Sequence, residues 1–488
     1  MYWLLLFLSV SYWYCLPVAS TRIFGYTEFR GYDFLLIGLA ACLLYNQWGR
    51  VRDFFQTDKP GYWLVRFCLW ASVMATVSVI WHACHANLSM AGVTVMDLFH
   101  LWGFLLGYAA FRMYLRTREQ CLRLLDVFLV VGIIEATIIC LQSLHIVPIF
   151  WSSLYRKYGP MVFSGTLGMN RALPGHVMIL LFAVAFTYAC NWRAIGHWRM
   201  IVAIIAAVVS VSGIMVSGSR TAWSTFLVFI VVTFFNRRLA LPAMVFVGGV
   251  AAIFLATAPD ALTDRGREMF EYRLSSKLER VQGDEVLDHF QAVDAGRYKI
   301  WMSAITTFIE KPWVIPCGVG FIGYNRLDTR GSAHNIFLTL IGELGVIGLF
   351  LYLMWFRELW RRGNDLLIKQ RLRTGVRTHF FCPTGVKPLL ACLSFSLLGG
   401  EILYVYRPSF AFLGMFLFIC AVMTHPTLVS ASSALRQSAP PKVSAYRRAG
   451  HGAKRCDTVR GIKQANWPRR LFEIRKNYAI TSKPFHKA

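Results

Sequence analysis

SAHNIFLTLIGELGVIGLFLYL, residues 332–353, joins a polar start, Ser332-Ala333-His334-Asn335, to an apolar run. That run is close to the ~20 residues a helix needs to cross about 30 Å of hydrocarbon. Directly before it lies the one long polar segment between hydrophobic runs, 259–333. A span entered from a polar segment of this length implies a large loop on one side of a membrane, with His334 where the chain re-enters.

Similar runs recur on either side, at about 1–19, 32–48, 63–81, 97–115, 124–147, 174–192, 199–217, 221–236, 239–258, 386–404 and 408–429. With 335–356 they make twelve. The chain has 488 residues, is 56% hydrophobic and has a mean hydropathy of +0.49, which excludes a soluble protein of this size. The runs are continuous, as in spanning helices, and do not alternate as barrel strands do. The expected fold class is therefore all-α: a polytopic transmembrane helical bundle of about twelve spans, with a helical extracytoplasmic loop between spans 9 and 10. The first run lacks a basic n-region and a small-residue cleavage signal and reads as a retained span. The divisions are spans 1–9 over 1–258, the outer loop over 259–334, spans 10–12 over 335–429 and a basic tail over 430–488.

A net charge of +26 could point to nucleic acid, but its distribution points to lipid. The tail carries fourteen Lys/Arg against Asp457 and Glu473; such a tail lies against anionic lipid, and no nucleic-acid partner is expected. Most of the remaining charge sits in alternate short loops. Arg50, Arg52 and Lys59, then Arg116, Arg118 and Arg123, then Arg193 and Arg199, then Arg237 and Arg238 mark even loops, as do Arg357, Arg361, Arg362, Lys369, Arg371, Arg373 and Arg377 in the tenth. The positive-inside pattern makes these loops and both termini cytoplasmic, and turns 259–333 outward. The loop is nearly charge-balanced, ten basic against eleven acidic residues. Within it, 262–281 reads as a surface helix and 286–308 as a second helix, ended by Lys311-Pro312 and followed by Gly318, Gly320 and Gly323. The twelve cysteines fall mostly in apolar runs, with no CxxC, and read as packing residues.

Polar residues gather at few places. Ser217-Gly218-Ser219-Arg220-Thr221 is a tight outward turn, and Asp294-Ala295-Gly296-Arg297 precedes Trp301 by one turn. His334-Asn335 opens the tenth span, Glu343-Leu344-Gly345 lies inside it, and Phe163 to Arg171 enters the sixth span from outside. Except for Glu343, these fall on one side of the membrane. Arginine offers a planar fork of donors that matches phosphate oxygens, and a histidine near its ordinary pKa can take a proton from a hydroxyl. Together they suit displacement of a diphosphate by a sugar hydroxyl. No carboxylate pair stands at metal-binding spacing, so no metal or other cofactor is expected and arginine would stabilise the charge. The alternatives for these residues are ordinary ones: an interfacial arginine snorkels, a histidine at a helix start caps it, and a buried glutamate such as Glu343, Glu135 or Glu401 bonds between helices. The WHACH run (His82, Cys84, His85) lacks a fourth ligand for zinc and reads as an interfacial turn.

SGSRTAW (217–223), GRYKIW (296–301), KPWVIPCGVG (311–320) and AHNIFLTLIGELGVIG (333–348), in this order, resemble the O-antigen ligase/polymerase family of envelope glycosyltransferases. FSGTLGMNRA (163–172) resembles an earlier family segment but has Met169 where a proline is usual, ahead of Asn170 and Arg171. The resemblance implies a multi-pass enzyme of the bacterial inner membrane with a periplasmic site. It implies an undecaprenyl diphosphate-linked glycan as donor and a glycan, lipid A core or other hydroxyl as acceptor, joined with inversion and without metal. Carried over, Arg220 and Arg297 would hold the diphosphate and His334 would activate the acceptor. Asn335, Glu343, Trp301, Asn170 and Arg171 would bind substrate or support the site. A twelve-span secondary transporter is the alternative class; its polar groups would gather at the midplane and not at one surface.

Overall fold

A computed structural model of the chain describes residues 1–16, 18, 29–150, 163–168, 172–235, 240–257, 260, 264, 267–268, 271, 297–324, 333–373, 383–398, 403 and 410–429. The chain divides into two units, Met1–Ser432 and Ser433–Ala488, the second outside the described residues. Also outside them lie Asn170, Arg171, Glu401, most of the expected surface helix 262–281, and residues 286–296 of the second loop helix.

The regular elements described are all helices: α1 (Tyr2–Ser11), α2 (Gly31–Asn46), α3 (Trp48–Thr57), α4 (Lys59–Cys84), α5 (Leu88–Tyr114), α6 (Arg118–Ser143), α7 (Ala172–Cys190), α8 (Trp192–Ile195) and α9 (His197–Val216). They continue with α10 (Arg220–Phe235), α11 (Ala240–Thr257), α12 (Arg297–Glu310), α13 (Val314–Cys317), α14 (Ile336–Arg373), α15 (Val386–Leu398), α16 (Phe410–Met423) and α17 (Pro426–Val429). Each of the twelve apolar runs thus holds a helix. Their lengths differ from expectation. Among the described residues, α4, α5, α6, α7, α9 and α14 are long and apolar enough to cross a membrane. α2 and α3, bent by 95° at their junction, make a seventh if they are one span. The other apolar helices are shorter; α1, at 10 residues, rises about 15 Å, half the hydrocarbon thickness.

α7 is the central helix. Its sequence is apolar around the whole circumference, and 94% of its span from Leu173 to Cys190 is buried. α6, α9, α10, α11, α15 and α16 surround it. His176 Nε2 lies 2.8 Å from Ser396 Oγ, a polar link between α7 and α15 inside an otherwise apolar core. A second group forms about α5, which packs against α1, α2, α3, α4 and α16, and α14 packs against α4.

At the end expected to be cytoplasmic, Asp58 caps α4 by accepting the Gly61 amide at 3.0 Å and the Tyr108 hydroxyl at 2.9 Å. Arg362 of α14 bonds both Asp58 and Tyr108, and Arg112 lies 3.6 Å from Asp58. The three charged side chains are largely buried. This cluster corrects the expected tenth loop. α14 runs on to Arg373, so Arg357, Arg361 and Arg362 stand on a helix, and Arg362 is held there by Asp58, the cap of α4, and by Tyr108 of α5.

Candidate active site

α14 starts at a built cap. The Asn335 side-chain oxygen accepts the amides of Phe337 at 2.9 Å and Leu338 at 3.3 Å, satisfying donors that the first helical turn leaves open. Asn335 is buried, whereas His334, one residue earlier, is exposed. His334 has φ +48, a left-handed conformation costing a non-glycine residue about 1–2 kcal/mol. The cap on one side and Ala333 on the other hold it there. Ala333 is buried, and its carbonyl accepts the Trp301 indole N–H at 3.1 Å.

Trp301 is one turn into α12, whose first residue is Arg297. Residues four apart on a helix share a face, so the Trp301–Ala333 bond turns the face of Arg297 towards the start of α14. Arg297 is half-buried.

Deeper in α14 the helix breaks. Gly345 has φ +67 and ψ −174, and this interruption in the expected continuous span was not read from the sequence. Its cause is a backbone-to-backbone contact with the end of α13 and with Gly318 just after it. A Cβ on Gly345 would stand 2.3 Å from the Pro316 carbonyl oxygen, and one on Gly318 would stand 2.3 Å from that of Glu343. Two glycines at the crossing let the chains touch. The Val319 amide then donates to Gly342 O at 2.8 Å and the Gly320 amide to Glu343 O at 3.0 Å. The motifs 311–320 and 333–348 are thereby one unit.

Glu343, 4% exposed, points back at that unit. Its carboxylate accepts the amides of Ile322 at 3.1 Å and Tyr324 at 3.4 Å. Ile322 has φ +57, unusual for a β-branched residue, so the carboxylate holds a strained turn in place. Glu343 lies nine residues from His334, roughly 13 Å along the helix, and shapes the loop beside the site.

Arg220 opens α10 from a separate turn. Ser219 Oγ accepts the Ala222 amide at 3.3 Å and lies 3.0 Å from Thr221 Oγ1, while the Ser219 amide donates to Ser217 Oγ at 3.3 Å. The turn sits tightly on α7: a Cβ at Gly175 would approach Ala222 Cβ to 2.5 Å and Ser217 Oγ to 2.8 Å. α15 packs against both α10, which Arg220 opens, and α14, which follows His334. Hydrogen bonds therefore join Arg297's helix to the start of α14, whereas Arg220 is fixed through α7 and α15.

Ahead of the undescribed Asn170 and Arg171, the Gly165-Thr166-Leu167 turn is held from α6. Glu135 accepts the Thr166 amide at 2.6 Å and its hydroxyl at 2.8 Å, and Gln142 accepts the Gly165 amide at 2.9 Å. Glu135 thus ties α6 to this turn. Among the described residues, no three His, Cys, Asp or Glu gather as metal ligands. In the WHACH run His85 stacks on Trp81 at 4.1 Å.

Sequence reading missed Trp70 and Ser78 of α4, which bond Leu344 O and Phe321 O. The only local signal was their four-residue register with Met74. Compared with curated proteins, the chain finds no match. The transporter alternative gains no support from the family comparison. Residues 205–353, which hold all four motifs from 217 to 348, match the family described as O-antigen ligase.

Proposed function

We propose that the protein transfers a glycan from an undecaprenyl diphosphate carrier to an acceptor hydroxyl, as a ligase or polymerase of cell-envelope polysaccharide, from the periplasmic side of the bacterial inner membrane. The family match supports an O-antigen ligase- or polymerase-type membrane enzyme. The observation that carries the finer reading is the Trp301–Ala333 hydrogen bond, which ties the helix bearing Arg297 to the turn bearing an exposed imidazole.

In this mechanism the acceptor oxygen attacks the anomeric carbon from the face opposite the diphosphate. The new C–O bond forms as the bond to the phosphate oxygen breaks, so the configuration inverts. His334 takes the hydroxyl proton, and polyprenyl diphosphate departs. Arg297 and Arg220 hold the departing oxygens with paired donors, in the role a divalent cation fills elsewhere. Asn335 fixes His334 through the helix cap, Trp301 fixes the turn before it, and Glu343 fixes the glycine loop. Asn170 and Arg171 would meet the sugar or lipid at the start of α7. One preorganised donor to a developing oxyanion contributes about 100- to 1000-fold in rate. Purified protein given a lipid diphosphate-linked glycan together with a hydroxyl acceptor, either lipid A core or a second lipid-linked glycan, should release polyprenyl diphosphate, and Arg297→Ala should lower that rate by about this factor. A variant as fast as the parent removes the diphosphate assignment.

A further inference from the structure

Trp70, Met74 and Ser78 stand four residues apart on α4, on one face and outside the 205–353 segment. That face grips the loop and the broken helix at three points. The Trp70 indole N–H donates to Leu344 O at 2.8 Å, the Phe321 amide to Met74 O at 3.2 Å, and the Ser78 hydroxyl to Phe321 O at 2.7 Å.

The helix break explains why such a grip is needed. In an unbroken helix the carbonyls of residues 342, 343 and 344 would accept the amides of 346, 347 and 348. Gly345 interrupts that register. Val319 and Gly320 supply amides to the first two carbonyls, and the Trp70 indole supplies the donor for the third. A buried carbonyl left without a donor costs about 1–3 kcal/mol. Residues 336–344 thus form a short rigid rod, with His334 beside its capped end and Trp70 pinning its broken end.

We propose that Trp70 is a positioning residue for glycan transfer, setting the rod that carries His334 and, with Ser78, the glycine loop on Glu343. This rests on the transferase reading above. It adds that the catalytic segment is completed by a helix far earlier in the chain. Loosening one end lets the imidazole shift, and a displacement of about 1 Å costs on the order of 100-fold in rate.

The test uses the full-length protein in detergent with a lipid diphosphate-linked glycan as donor and lipid A core or a second lipid-linked glycan as acceptor. Trp70→Phe keeps the ring and removes the N–H. It should lower kcat roughly 10- to 100-fold while KM for the donor changes less than about threefold. Ser78→Ala should do likewise, and Ser78→Thr should restore most of the rate. Because Trp70 acts through the same unit as Glu343, adding Trp70→Phe to Glu343→Gln should cost much less than the product of the two effects. Hydrogen exchange of the 319–324 amides, which needs no turnover, should quicken in Trp70→Phe. Unchanged exchange, or effects that simply multiply, overturns the proposal even if transfer is confirmed. A parent protein that releases no polyprenyl diphosphate overturns the transferase reading instead, while the exchange result still decides whether Trp70 holds the loop.

Discussion

Arginine and lysine carry the same charge, yet only arginine presents two parallel N–H groups to two oxygens. If Arg297 grips a diphosphate in this way, Arg297→Lys should retain donor binding better than Arg297→Ala but still lose about tenfold in turnover, the worth of about one charge-assisted hydrogen bond. Steady-state kinetics on the two variants checks this; equal activity of lysine and arginine would reduce Arg297 to a point charge. His334→Ala should lower kcat far more than it raises KM if, as proposed, the imidazole acts on the acceptor proton and not on the bound donor. Trp301→Phe removes the indole N–H from the Ala333 carbonyl, and its rate loss should accompany an unchanged fold. The sequence carried the residue types and the order of the motifs. It did not carry Trp70, whose partner Leu344 is 274 positions away and whose local mark is no more than its four-residue register with Met74 and Ser78.

The broken α14 is the element that decides the site's shape. Its apolar run was legible and its interruption was not, because a glycine inside an apolar segment does not by itself announce a bend. The cause lies across the chain, in Gly318 and the Pro316 carbonyl pressed against Gly345. Gly345→Ala places a side chain at φ +67 against that carbonyl, so both strain and contact oppose it. Such a change should destabilise the unit by more than the 1–2 kcal/mol of the backbone conformation alone. Thermal unfolding in detergent measures it, and a variant as stable as the parent would show that the two segments part easily. The length of α14 was also hidden. Arg357 to Arg373 are charged enough to read as loop, and they are helical because Arg362 reaches Asp58, 304 positions earlier.

For the molecule as a whole, the site and the buried ion cluster sit at opposite ends of the same two helices, α4 and α14. Asp58 is 6% exposed and faces both Arg362 and Arg112. Removing one partner of a buried pair leaves charge unmatched, at about 3–5 kcal/mol. Asp58→Ala should therefore lower the unfolding midpoint clearly, and a midpoint within error of the parent would contradict the cluster's role. Deleting the chain after Ala431 should spare transfer if the basic tail serves only as a lipid tether; complete loss of activity would give the tail a larger part. The helical class was legible because hydropathy sets it run by run. The spanning lengths were less so, since where a helix ends depends on partners that hydropathy does not contain. The most direct test of the central claim is release of polyprenyl diphosphate by purified protein and by its Arg220→Ala, Arg297→Ala and His334→Ala forms. The account predicts release by the parent and a loss of about 100-fold or more in each variant; parent-like release from all three would contradict it.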